Sequence, residues 1–210
     1  MQNYVITLAR GFGSGGKRIG LALSKELGVP LYESQILAMA SEQSGISKDK
    51  FVQVDERLRG GLLRKLKAAP NIDHITSPSD KDFVSDDNLY SIQAQVIREL
   101  AASESCVIIG KCANFVLRDL PNVISVYVEA PRAYCLRHVM ETMGVTEEEA
   151  HRLITKTDKY RADYFHHYTG GRIWTDPVLY DLTLNVQRVG RDKAVSLIKH
   201  YAETKFSYNA

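Results

Sequence analysis

Tyr4-Val5-Ile6-Thr7-Leu8-Ala9-Arg10-Gly11-Phe12-Gly13-Ser14-Gly15-Gly16-Lys17 is the stretch that decides the fold. Its first half is an apolar, β-branched run that reads as a strand, and it stops in a cluster of glycines. Beyond Lys17, Ile19, Leu23 and Leu27 recur every four residues as one stripe of a helix, and Gly28 stands where a C-cap belongs. Residues 11–17 therefore form a strand-to-helix turn, and their spacing is Gly-x-x-x-x-Gly-Lys. Glycines let backbone N–H groups turn inward, while the following helix offers its unpaired N–H groups and the positive end of its dipole. Gly11, Phe12, Gly13, Ser14, Gly15, Gly16, Lys17 and Arg18 are the candidates to cradle a polyphosphate. Lys17 is the mobile point charge that reaches its outer phosphates.

Outward from that turn, strand-like and helical patterns alternate. Val29-Pro30-Leu31-Tyr32 reads as a short strand, and Ile36, Leu37 and Ala40 begin a helix. Residues 66–88 hold Ala69-Pro70-Asn71 and Ser77-Pro78-Ser79-Asp80, which are turn formers, with Asp86-Asp87-Asn88 placed to cap the helix marked by Ile92, Val96 and Leu100. Cys106-Val107-Ile108-Ile109-Gly110 is apolar without alternation, the mark of a strand buried on both faces. Val123 to Val128 is the next strand, closed by Ala130-Pro131 at a helix start. Thr146-Glu147-Glu148-Glu149 is a capping-box sequence, and its helix runs into Lys159-Tyr160-Arg161. Tyr180 to Val186 reads as a last strand, followed by a helix with Ala194, Leu197, Ile198 and Tyr201 on one face. The order predicts an α/β fold, a three-layer α/β/α sandwich on a five-stranded parallel sheet. Ligands in such sheets gather beyond the carboxyl ends of the strands.

Composition narrows the class. The chain has 210 residues, which fits one domain over 1–210. Its 27 basic and 25 acidic residues leave a net charge of +2, which gives no reason to expect a nucleic-acid partner. Cys106, Cys112 and Cys135 are odd in number and form no paired metal motif, which suits a reducing, cytoplasmic setting. No stretch approaches the ~18 apolar residues of a membrane helix. The adjacent His166 and His167 point about 100° apart on a helix and lack an evident third ligand, so no metal residues are assigned.

The chain resembles the cytidylate-kinase-like proteins of the P-loop nucleoside monophosphate kinase superfamily. The resemblance rests on Ile6 through Gly16, on Val107-Ile108-Ile109-Gly110-Lys111-Cys112-Ala113, and on Asp158-Lys159-Tyr160-Arg161-Ala162-Asp163-Tyr164. Tyr168-Thr169-Gly170, Trp174-Thr175-Asp176-Pro177 and Tyr180-Asp181-Leu182 continue it, so that it covers residues 4–189 in order. It implies a nucleoside-monophosphate-kinase fold with a mobile acceptor region at 33–90 and a helical lid at 146–178. The implied activity is transfer of the ATP γ-phosphoryl group to CMP or dCMP, with ATP and Mg²⁺ as cofactors and small nucleotides as partners. The implied state is a monomer or homodimer.

Site residues follow from the residue types and, for Glu33 and Lys111, from what the resemblance implies. Phosphoryl transfer needs positioned cations more than a strong base. Arg152, Lys156, Lys159 and Asp163 fall on one helical face, which is either a solvated surface or part of a lid. Lys17, Lys159 and Arg161 are the catalytic candidates, although Lys159 and Arg161 lie about 200° apart on an ideal helix and meet one ligand only if the helix ends or bends. Glu33, Arg57, Lys111 and Asp163 are the candidates on the acceptor side, and Tyr164, Tyr168 and Trp174 are either packing residues or a stack for a base. Three departures stand out: Lys111 where the family often has Arg, Glu33 where it commonly has Asp, and Arg18 where a Ser or Thr normally supplies a hydroxyl to Mg²⁺. The last leaves open a nucleotide-binding regulatory module without transfer, or a kinase for another small molecule.

Overall fold

The computed structural model describes residues 3–59 and 74–207, with the side chains of residues 54–59 and 207 outside that description. Five parallel strands form one sheet in the order β2-β3-β1-β4-β5. They are β1 (Val5–Arg10), β2 (Leu31–Tyr32), β3 (Cys106–Ile109), β4 (Val123–Glu129) and β5 (Leu182–Asn185). Val5 of β1 pairs with Cys106 on one side and with Val123 on the other, so β1 is central. The chain leaves β1 toward β2 on one side and later enters β4 on the other. The strand order reverses at β1, and a crevice opens there beyond its carboxyl end.

The three inner strands β1, β3 and β4 are buried on both faces over most of their length, which is why they read as apolar runs, whereas the edge strands β2 and β5 are only partly buried. Ile6, Leu8, Val107, Ile109, Ile124 and Val126 pack against helices α1 (Gly16–Leu27) and α9 (Arg191–Ser207). Val5, Ala9, Cys106, Ile108 and Tyr127 face the other layer. That layer holds α2 (Gln35–Ser44), α3 (Lys48–Arg59), α4 (Asp86–Ser103), the short α5 (Ala113–Val116) and α7 (Glu147–Tyr168). Helix α6 (Arg132–Met143) packs on α7 around Cys135, Val139, Ala150 and Ile154. A short α8 (Val186–Val189) follows β5. The expected three-layer sandwich is the architecture found.

Local signals held where capping chemistry is self-contained. Gly28 ends α1 in the left-handed conformation at φ 66°, and Thr146 and Glu149 form a reciprocal capping box on α7. Three readings are corrected. Helix α4 is capped by the Ser85 hydroxyl, which accepts from the Asn88 N–H, so Asp86 and Asp87 lie in its first turn instead. The last strand is shorter than expected, because Val186 already begins α8. On α9 the buried stripe is Ala194, Val195, Ile198 and Ala202, while Leu197 is exposed. Of the turn formers within 66–88, Ala69-Pro70-Asn71 lies outside the described residues, and residues 78–84 form turns and a bend.

Candidate active site

The glycine turn is built by its own hydrogen bonds. The Gly11 N–H donates to the Val128 carbonyl at 3.0 Å, which ties the turn to β4. The Ser14 hydroxyl is buried and donates to the Gly11 carbonyl at 2.8 Å. Gly13 sits at φ 85°, and a Cβ there would stand 2.8 Å from the Cys135 carbonyl oxygen, so glycine is required by both conformation and space. The N–H groups of Gly13, Gly15, Gly16 and Lys17 have no hydrogen-bond partner among the described residues. These four donors, at the open end of α1, form a concave anion site of the kind that holds phosphate. ATP phosphates fit this donor set.

Lys17 is 65% exposed and donates from Nζ to Glu33 Oε2 at 2.8 Å. Glu33 follows β2, and its other carboxylate oxygen accepts from Arg10 Nη2 at 2.8 Å. Burial works against an ionised Glu33, but the hydrogen bonds and charges of Lys17 and Arg10 outweigh it and hold the carboxyl below its usual range. Burial, with Arg161 nearby, pulls the Arg10 guanidinium down to about 10 while Glu33 pulls it back, so Arg10 remains a cation at neutral pH. Arg18 is exposed on α1; after burial itself, Arg18 and Arg191 are the charges that push the His138 imidazolium down.

Helix α7 reaches the turn from the other side. Asp158 Oδ1 accepts the Phe12 N–H at 2.8 Å, and Arg161 Nη1 donates to the Arg10 carbonyl at 2.9 Å and to Asp158 at 3.3 Å. The Arg161 guanidinium also lies 5.7 Å from the centre of the Phe12 ring. Beside them, Glu129 ends β4 and accepts from the Tyr127 hydroxyl at 2.6 Å.

A cavity of about 360 Å³ opens next to the turn, beyond the ends of β1, β2 and β3. Its charged lining is Arg10, Glu33, Lys111 and Arg161, and its aromatic wall is Tyr160, Tyr164, Phe165 and Trp174. Lys111 and Cys112 adopt φ 57° and 53° after Gly110 at 74°, so the turn after β3 runs left-handed for three residues. Non-glycine residues in that region are strained, and such strain collects at ligand sites.

The structure therefore brings Lys17, Glu33, Lys111 and Arg161 together. Helix α7 runs unbroken through Lys159 and Arg161 and turns them to different faces: Lys159 is 66% exposed and bonded to Asp163 at 2.7 Å, and neither of these two lines the cavity. Arg57 lies on α3, with its side chain outside the described residues. Tyr164 and Trp174 line the cavity, whereas Tyr168 is buried and stacks on Tyr90 at 3.8 Å. Two participants had no role in the sequence reading, Arg10 and Asp158. Both stand inside the motif segments, and the position of Arg10 at the carboxyl end of the central strand was the available signal.

The glycine turn itself offers no side-chain hydroxyl to Mg²⁺, so an ion here would rest chiefly on ATP phosphate oxygens and water. Arg18 follows Lys17, the Ser14 hydroxyl is committed to Gly11, and among the described residues no group of three or more His, Cys, Asp or Glu is placed to hold a metal ion.

Comparison with known proteins agrees with this geometry. A sequence model of the cytidylate kinase-like family matches residues 5–188. A crystal structure of an uncharacterized protein from Eubacterium ventriosum ATCC 27560 is similar with a TM-score of 0.69 and 27% identity, over 96% of this chain and 99% of that one. Shikimate kinase from Bacteroides thetaiotaomicron shares the fold at a TM-score of 0.51 and 14% identity, covering 95% of this chain and 98% of the other. A gluconokinase from Sinorhizobium meliloti 1021 does so at 0.51 and 12%, covering 100% and 98%. No curated protein matches the sequence.

Proposed function

The chain belongs to the cytidylate kinase-like family, and on that premise we propose that it transfers the γ-phosphoryl group of ATP to a nucleoside monophosphate, CMP or dCMP first among them. The observation that carries this reading is the continuity of two sites. Four amides without a partner among the described residues, with Lys17, form an anion cradle, and the cavity with Arg10, Glu33, Lys111 and Arg161 begins beside it. Positioning and electrostatic stabilisation are what phosphoryl transfer requires of a protein.

In this reading the ATP phosphates lie on the amides of Gly13 to Lys17, and the Lys17 ammonium moves from Glu33 onto them. Arg161 neutralises charge on the migrating group from the α7 side. Lys111 and Arg57 hold the acceptor phosphate, and Tyr164 with Trp174 borders its base. Residues 33–90 serve as acceptor region and 146–178 as lid of one domain. The chain works in the cytoplasm on small nucleotides, as a monomer or homodimer.

A second reading is a nucleotide-binding regulatory module without transfer. It is favoured by the loop chemistry: Arg18 occupies the position of the metal-binding hydroxyl, and Ser14 cannot replace it while bonded to Gly11. A coupled assay with ATP, Mg²⁺ and a panel of monophosphates decides between the two. Turnover highest with CMP or dCMP is the expected result. ATP binding without turnover on any acceptor would establish the module, and turnover confined to a non-nucleotide acceptor would replace CMP while keeping the transfer chemistry.

A further inference from the structure

We propose that Arg10 is a positioning residue of this site: it fixes the Glu33 carboxylate from below and so governs the release of Lys17 to the polyphosphate. The inference rests on the reading of the glycine turn as an ATP cradle.

Arg10 is the last residue of β1, and it lies in a groove made by two glycines from different elements. A Cβ on Gly16 would stand 2.5 Å from Arg10 Cβ, and a Cβ on Gly110 would stand 2.5 Å from Arg10 Nη1. The groove confines the side chain and aims Nη2 at Glu33 Oε1, 2.8 Å away. Its Nε is buried without a hydrogen-bond partner among the described residues, and its carbonyl holds Arg161. One residue thus connects the central strand, the end of β2 through its guanidinium, and helix α7 through its carbonyl.

A carboxylate has two oxygens. With Oε1 taken by Arg10, Oε2 remains for Lys17. ATP must draw Lys17 off that oxygen, so the Glu33–Lys17 bond competes with nucleotide binding. Arg10 moderates the competition by sharing the carboxylate's charge. Without Arg10, Lys17 becomes the one close hydrogen-bonding cation of Glu33 among the described residues and is held more tightly while Glu33 is ionised. Glu33 is then also easier to protonate, because burial opposes its charge and one of its cations is gone. The charged and titratable groups facing it are Arg10 from β1, Lys17 from α1, Arg161 from α7 and Lys111 across the cavity, with the Tyr160 hydroxyl beside Arg10.

The test is ATP binding by calorimetry from acid to alkaline pH in the full-length protein, expressed as the ratio to wild type so that the titration of ATP itself cancels. For Arg10→Gln, affinity falls by about tenfold at alkaline pH, and the deficit closes as pH falls and Glu33 protonates. Arg10→Lys keeps part of the affinity. In the Glu33→Gln background the Arg10 change has no further effect, and Glu33→Gln alone binds ATP more tightly than wild type at alkaline pH. That last variant keeps the inference testable if Arg10→Gln does not fold. A deficit independent of pH, one that persists beside Glu33→Gln, or Glu33→Gln binding no tighter than wild type overturns the positioning role. Carbon-detected NMR titration of the Glu33 carboxyl in the nucleotide-free protein separates this from failure of the functional reading. Absence of ATP binding by wild type defeats the kinase proposal. A Glu33 midpoint that does not rise in Arg10→Gln or Arg10→Lys defeats the Arg10 proposal whatever the activity.

Discussion

The backbone N–H of Phe12 donates to Asp158 Oδ1 at 2.8 Å, joining the glycine turn to helix α7 across 146 residues of sequence. The bond fixes the side of the turn that faces α7, and among the described residues the amides of Gly13, Gly15, Gly16 and Lys17 keep no partner and face a ligand. Arg161 reinforces it one helical turn later through the Arg10 carbonyl. The position of α7 over the turn is therefore set by one carboxylate and one guanidinium.

Asp158 makes stability depend on pH in a direction opposite to that of most paired carboxylates. Burial raises its carboxyl above the usual value, and the Phe12 N–H and the Arg161 charge only partly offset this, with Glu129 pushing it further up. A group raised in the folded state contributes stability that is complete below its unfolded-state value and is lost as pH rises through its folded-state value. Asp158→Asn keeps an oxygen for the Phe12 N–H and mimics the neutral carboxyl. The variant should therefore avoid the loss of stability that wild type undergoes as pH rises from acid to neutral. Urea midpoints measured against pH check this, and parallel curves for the two proteins would rule it out.

Lys17→Ala should remove transfer and leave the fold. The ammonium is largely exposed, and its bond to Glu33 is of a kind that contributes no more than about 1 kcal/mol. Loss of a cation aimed at the migrating group costs about a hundredfold or more in turnover. Thermal unfolding and the coupled assay on the same preparation measure both. Turnover within a few-fold of wild type would show that Lys17 does not act on the phosphates.

Much of this architecture was legible because its causes are local. Gly28 and the Thr146–Glu149 box can be read from a few residues, since each cap is satisfied within one turn of helix. The inner strands β1, β3 and β4 were legible because burial on both faces removes most polar residues from them. Leu197 misled because four-residue spacing fits more than one stripe, and only the packing of α9 on α1 and the sheet selects Val195 and Ala202 instead. The site itself was half legible. Gly11 to Lys17 announces itself by spacing, whereas Arg10 meets Glu33 across 23 residues and Asp158 meets Phe12 across 146. Those pairs exist only once the sheet has brought the strand ends together.

Lys159 and Arg161 separate the two faces of α7. Arg161 lines the cavity and bonds to both the Arg10 carbonyl and Asp158, so Arg161→Ala should cost about 1–3 kcal/mol of stability. Its turnover should fall about a hundredfold, the usual consequence of removing one donor that stabilises transition-state charge. Lys159 is exposed in an i,i+4 pair with Asp163, so Lys159→Ala should lose roughly 0.3–0.5 kcal/mol. Its turnover should stay near wild type in the same assay that scores Arg161→Ala. Equal loss of turnover in both variants would mean that α7 rotates or unwinds during the reaction.

Trp174 is the single tryptophan of the chain and lines the cavity while only 8% of its surface is exposed. Its carbonyl accepts the Tyr180 hydroxyl at 2.7 Å, and its ring meets Tyr127 edge-on with centroids 5.5 Å apart. These contacts hold the indole in a fixed apolar wall, so its emission reports on the cavity rather than on bulk water. Adding CMP should change that emission in a saturable way. ATP alone should change it much less, because in the proposed reading its phosphates rest on the glycine turn and not on the aromatic wall. Tyr180→Phe tests the wall itself: it leaves the Trp174 carbonyl without its donor, costs about 1–3 kcal/mol, and should weaken the CMP response while ATP binding is kept. A CMP titration without any emission change, in a protein that turns CMP over, would place the acceptor outside this cavity.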